Sequence, residues 1–272
     1  MTEGTGGSGA RRRPGVWIGP DEAIAAIREG RGKGVRVAVI DSGVEANHPR
    51  LRGMRLADSV GFEESGGRLV PVDGAGHDVY GHGTAVAGII HEFAPEAEIG
   101  SFRVIDARSL SRTALICAGV MEAMRRGYHV LNCSFGCKGL AKFLMPHKEW
   151  TDLAWRRGIH VVAASGGGDD EEAEWPSHLA GVFGVTLART REEDIFHRPG
   201  AMVSFAARGE DVEVAWLGGE TQLKTGTSFA APRLTGRIAR LLSVAPGLPV
   251  PLTHALLSAI AEPWTDVLDA SW

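Results

Sequence analysis

Two periodicities alternate along this chain, and their order predicts the architecture. Residues 21–29 carry apolar side chains at 23 through 27 between charged ends, a short helix stopped by Gly30. The run VRVAVI at 35–40 predicts a strand that ends in Asp41-Ser42-Gly43. A glycine-rich stretch then leads to Gly81-His82-Gly83-Thr84 and a helix through about Ile90. Beyond it the pattern predicts a strand at 99–105, a helix at 111–126 closed by Gly127, a buried strand at 128–135, a helix at 148–157 and a strand at 160–164. A loop of glycines and acids fills 166–174. Strands follow near 182–187 and 203–206, then a hairpin with Gly218-Gly219 at its tip, and a last helical region opens at Thr227-Ser228. Strands alternating with helices predict an α/β fold: three layers, a doubly wound and mostly parallel sheet with helices on both faces. Residues 1–19 read as a flexible tail and 20–272 as one domain.

Composition narrows the use of such a fold. With 272 residues, 44% of them hydrophobic, the chain buries a substantial core and is neither a disordered tail nor a disulfide-stapled miniprotein. No apolar run approaches the roughly 18 residues of a membrane helix, so no membrane partner is expected. Lys+Arg 29 against Asp+Glu 33 gives a net charge of −4, which argues against general nucleic-acid binding. The first twenty residues lack the apolar stretch of a secretory signal, so the expected compartment is the cytoplasm. Cys117, Cys133 and Cys137 cannot all pair and match no zinc spacing. If 133–137 is extended, four steps of about 3.3 Å separate the two Cα atoms by roughly 13 Å, beyond disulfide reach, so reduced structural thiols are expected.

Three polar residues then stand out by type and order. Asp41 follows a strand, His82 opens a helix 41 residues later, and Ser228 opens another 146 residues after that. A serine hydroxyl is a weak nucleophile near neutral pH. Acyl transfer needs an imidazole to take its proton and a carboxylate to fix the imidazole's tautomer. A serine at a helix N-terminus also gains free backbone N–H groups and the positive end of the helix dipole, which favour a developing oxyanion. Pro232 is acceptable so early in a helix. The other serine-hydrolase signature, G-x-S-x-G, fails because Ala230 replaces its second glycine.

The words around these residues are VAVIDSGVEANHPRL, GHGTAVAGII and GTSFAAPRLTG. In them the chain resembles the subtilisin-like serine proteases over residues 35–245. The resemblance implies Ser228 as nucleophile, His82 as general base and then acid, and Asp41 as its orienter. It further implies that Ser134-Phe135-Gly136 pairs with the substrate backbone as an added strand, and that Ala164-Ser165-Gly166 forms the opposite wall of the first specificity pocket. Peptides or proteins are the implied substrates, with no cofactor. His48, His77, His91 and His129 read as structural, and Phe135 suggests an apolar surface beside the pocket.

The chain also departs from that family. Where its members read A-G-N, with an asparagine that donates to the oxyanion, this chain reads Ala164-Ser165-Gly166-Gly167, and Gly167 has no side-chain donor. Losing that donor costs about 10²- to 10³-fold in turnover in a subtilisin. The backbone N–H of Ser228 remains. The Thr227 hydroxyl or a backbone N–H freed by the glycine run supplies alternatives, whereas Asn132 fits a structural position better. The acidic run Asp169-Asp170-Glu171-Glu172-Ala173-Glu174 follows the pocket wall, where it is either a solvated loop or a selector of Lys and Arg in substrates. The family's common calcium insertion between the His-bearing helix and the next strand is absent, so no required metal is expected, and Glu63, Glu64 and Asp73 match no calcium-loop spacing. The combined expectation is an endopeptidase that processes a dedicated precursor, such as a peptide's leader. The alternatives are a catalytically impaired peptide-binding module, or a ligase in which an amine resolves the acyl-enzyme.

Overall fold

A computed structural model of the protein describes residues 16–166 and 173–265. Its helices are α1 (Pro20–Glu29), α2 (His82–Phe93), α3 (Thr113–Arg125), α4 (Ala141–Arg156), α5 (Thr227–Val244) and α6 (Val250–Ile260). Its strands are β1 (Arg36–Asp41), β2 (Arg55–Ser65), β3 (Arg68–Asp73), β4 (Glu98–Arg103), β5 (Val130–Cys133), β6 (Cys137–Lys138), β7 (His160–Ala164), β8 (Glu174–Trp175), β9 (Val182–Ala188), β10 (Ile195–His197), β11 (Phe205–Arg208), β12 (Val212–Trp216), β13 (Glu220–Lys224) and β14 (Glu262–Pro263). Among the described residues one sheet runs in the order β14-β10-β11-β9-β7-β5-β1-β4-β2-β3. From β11 to β2 all neighbours are parallel, while β3 and β10 join antiparallel to β2 and β11.

Period-two alternation builds two cores from one sheet. Val37 and Val39 of β1, Val130 of β5 and Val162 of β7 pack with α1, α2, α5 and α6 on one face. Ala38, Ile40, Leu131, Cys133, Val161 and Ala163 face α3 and α4 on the other. Strands buried on both faces read as continuous apolar runs, which is the pattern of 37–40 and 161–164.

Several elements differ from the sequence expectation. The stretch before Gly81 holds the β2–β3 hairpin, whose turn residues Gly66 and Gly67 have φ of 58° and 72°, the backbone a two-residue turn between twisted strands requires. Charges along it and Pro71 in the edge strand hide its alternation. Helix α4 begins seven residues before the expected 148 and includes Pro146. The proline removes one hydrogen bond near a solvent-facing start, while His147, Trp150, Thr151 and Ala154 bury a face at helical spacing. The strand expected at 128–135 ends at Cys133, and α6 had no counterpart in the sequence reading. All three cysteines are unbonded, with Cys133 buried.

Candidate active site

Open α/β sheets gather functional groups beyond the carboxyl ends of their strands, where the strand order reverses. Here β1 leads through α2 to β4 on one side, and β4 leads through α3 to β5 on the other. Asp41 is the last residue of β1, Ser134 follows β5 and Ser165 follows β7. Three adjacent strands therefore deliver their ends to one place, and α2 and α5 start beside it.

Asp41 is fully buried, and its carboxylate accepts from the N–H of Ser42 at 2.7 Å. His82 is the first residue of α2, and its Nδ1 lies 2.8 and 3.0 Å from the two Asp41 oxygens. Nδ1 donates to the carboxylate, so Nε2 is left as the base. Burial of His82 pulls its pKa down, but the charge and hydrogen bond of Asp41, with the charge of Asp78, outweigh it and hold the imidazole above the ordinary 6.5. The side chain keeps 16% exposure, so a substrate can reach it.

A second buried carboxylate shapes the turn that carries His82. Asp78 accepts from Ser42 Oγ (2.8 Å) and from the N–H groups of Tyr80 (2.9 Å), Gly81 (2.8 Å) and Thr84 (2.9 Å), and from Thr84 Oγ1 at 2.5 Å. Ser42 Oγ in turn accepts from Gly83 N–H at 3.0 Å. Asp78 thus satisfies orphan donors at the start of α2 and ties them to the residue after Asp41. Gly81 holds φ at 113°, and a Cβ on Gly83 would collide with the carbonyl of Gly43, so both glycines are needed to bring α2 this close. Asp78 was not foreseen; a carboxylate four residues ahead of a glycine-flanked helix start is the signal that identifies it.

Ser228 is the second residue of α5. Its Oγ donates to the carbonyl of Ser134 at 3.1 Å, and Ser134 Oγ donates to the carbonyl of Ser228 at 3.0 Å. The second bond has a local cause. Pro232 is the sixth residue of α5, late enough that its missing N–H leaves the Ser228 carbonyl without its helical donor, and the Ser134 hydroxyl takes the vacancy. The N–H of Ser228 belongs to the first turn of α5, at the positive end of the helix dipole, and has no acceptor among the described residues. The ring of Phe229 lies 5.6 Å from that of His82, which brings the imidazole to the first turn of α5.

The remaining expected residues divide. Asn132 is spent: it donates to Ser134 Oγ at 2.9 Å and accepts from Thr235 Oγ1 at 2.7 Å, so its role is structural. The Thr227 hydroxyl, expected as an alternative oxyanion donor, donates here to the carbonyl of Ser165 and so fastens the end of β7 to α5. Phe135 packs on the core under α3 and α4, and Gly136 and Gly166 are exposed. Ala164 and Ser165 are buried. Gly167 and residues 168–172 lie outside the described residues. His48 is structural, accepting from Arg50 N–H at 3.1 Å and meeting the Glu220 carbonyl at 2.8 Å. Of the carboxylates weighed for a cation, Asp73 pairs with Arg126 at 2.7 Å and Glu64 with Arg112 at 3.8 Å. Among the described residues no group of three or more His, Cys, Asp or Glu is placed to hold a metal.

A mostly parallel sheet with helices on both faces and this strand order is the subtilisin-like three-layer α/β fold. The profile of the Subtilase family, peptidase S8, matches residues 32–263, and the chain belongs to that family. Subtilisin BL of Lederbergia lenta is 30% identical over 229 residues, covering 80% of each protein. Among solved structures, the S41 psychrophilic protease superposes with a TM-score of 0.72 at 22% identity, over 89% of this chain and 91% of the other. A lanthipeptide protease gives 0.64 at 22% identity, over 82% and 78%. The protein is a serine endopeptidase.

Proposed function

We propose that Ser228 attacks the carbonyl carbon of a peptide bond, with His82 as general base and Asp41 as its orienter. The observation that carries this is the Asp41–His82 pair, which commits Nδ1 as donor and leaves Nε2 to take the serine proton. For attack, the Ser228 hydroxyl exchanges the Ser134 carbonyl for His82. The oxygen of the tetrahedral intermediate turns to the free N–H of Ser228. His82 then passes its proton to the leaving amine, and water resolves the acyl-enzyme.

The substrate in this reading is a peptide or protein precursor cut at a limited site inside the cell, by a chain that needs no cofactor. The absence of a side-chain donor at Gly167 favours slow, selective cleavage over bulk digestion, and a lanthipeptide protease shares the fold. A second reading, a peptide-binding module with impaired chemistry, draws on the engagement of Ser228 Oγ with Ser134 instead of His82. Incubating protein and its Ser228→Ala variant with a mixed peptide library, with and without an added amine, separates the fates. Hydrolysed products lost in the variant support the protease; amine adducts alone would mark a ligase, and no product from either protein would mark the binding module.

A further inference from the structure

One carboxylate beside the site takes no part in the proposed chemistry. Glu174 opens β8, which pairs antiparallel with β6, so that Glu174 stands opposite Lys138 and Trp175 opposite Cys137. This short ribbon returns the chain to the segments on either side of Ser228. The N–H of Gly166 donates to the Glu174 carboxylate. A Cβ on Gly166 would run into that carboxylate, and one on Gly136 would touch a Glu174 oxygen at 3.4 Å. Two exposed glycines, 30 positions apart in sequence, thus leave between them a slot with a carboxylate in it.

The carboxylate is short of partners. Its hydrogen bond comes from a neutral N–H, and among the described residues no lysine or arginine forms an ion pair with it, Lys138 across the ribbon included. An incoming cation would meet a carboxylate held in place by the backbone, with no resident cation to displace.

We propose that Glu174 is the specificity-determining residue of this site, accepting the ammonium or guanidinium of a lysine or arginine on the acyl side of the scissile bond. The proposal rests on the reading of Ser228 as nucleophile and of segments 134–136 and 164–166 as the walls around the substrate. It converts a general acidic loop into one residue with one job.

The test uses matched fluorogenic peptides that differ only in the residue before the scissile bond: Arg, Lys, Leu or Glu. The expected result is kcat/KM for Arg and Lys exceeding that for Leu by about tenfold or more, the scale of one hydrogen bond to a charged group. In Glu174→Gln, which keeps an acceptor for Gly166 N–H, the Arg-to-Leu ratio should collapse toward one, and in Glu174→Lys the Glu peptide should gain over the Arg peptide. Equal ratios in the wild type and Glu174→Gln would overturn the proposal while leaving the protease intact. A binding arm separates the two failures: product peptides ending in Arg or Leu are titrated into Ser228→Ala by fluorescence anisotropy, with and without Glu174→Gln. Tighter binding of the Arg peptide, lost with Glu174→Gln, supports the role of Glu174 even if no peptide is cleaved; equal binding overturns it.

Discussion

The chemistry of the site turns on which proton state of His82 the protein favours. The Asp41 carboxylate, fully buried and 2.8 Å from Nδ1, stabilises the imidazolium, and the pKa rises above 6.5 despite burial. A general base must be neutral to act, so kcat/KM is expected to rise with pH and to reach half its plateau above pH 6.5. The stability linkage has the opposite sense: a raised folded pKa adds stability that is fully present below 6.5 and is lost as pH climbs through the folded value. Asp41→Asn should therefore lower the activity midpoint and cut kcat/KM by about 10⁴-fold. Paired pH profiles of the two proteins check both; a wild-type midpoint below 6.5 would contradict the assignment. Asp41, His82 and Ser228 stood out in the sequence because each sits in a run whose residue types acyl transfer requires together, and the fold brings Asp41 and His82 into contact. Asp78 did not stand out, and Glu174 did so only as one acid of a run, because the surroundings of each come from partners that the fold supplies: Ser42 is 36 residues from Asp78, and Gly136 is 38 from Glu174.

Helix starts carry the precision of the site. The first turn of α2 hangs on Asp78, which receives five hydrogen bonds, and α5 is tied to the end of β5 by the two bonds between Ser134 and Ser228, one of which fills the place of the missing Pro232 N–H. Asp78→Asn turns one acceptor into a donor facing N–H groups, so about 2 kcal/mol should be lost, a fall in Tm of roughly 4–8 °C for a chain of this size. Because the lost bonds position His82 without touching substrate, kcat should drop about tenfold with KM nearly held. Thermal melts and steady-state kinetics measure both, and an unchanged kcat would limit Asp78 to stability. Elements with strong periodicity were readable at this scale, as α3 and β7 show. The β2–β3 hairpin was missed although Gly66-Gly67 marks its turn, since its half-exposed, charged strands carry little apolar alternation. Helix α4 extends seven residues ahead of the expected 148 and through Pro146, a residue that locally disfavours a helix interior, because tertiary packing of Trp150 and Ala154 outweighs that local signal.

The whole molecule gives these parts a common frame. Alternating strands and helices implied a doubly wound sheet, and β1, β5 and β7 lie side by side at its centre with their carboxyl ends together. The pairing order itself was not readable, because period-two patterns say which face a residue takes and nothing about which strand lies next to it. The role proposed for Ser228 therefore requires the folded chain, where β1, α2 and α5 converge. Treatment with a fluorophosphonate probe, followed by mass spectrometry of the intact protein and its peptides, tests that claim most directly. One probe on Ser228 of the native protein, absent after denaturation and in Ser228→Ala, is the expected result; a native protein left unlabelled, or labelled at another residue, would contradict it.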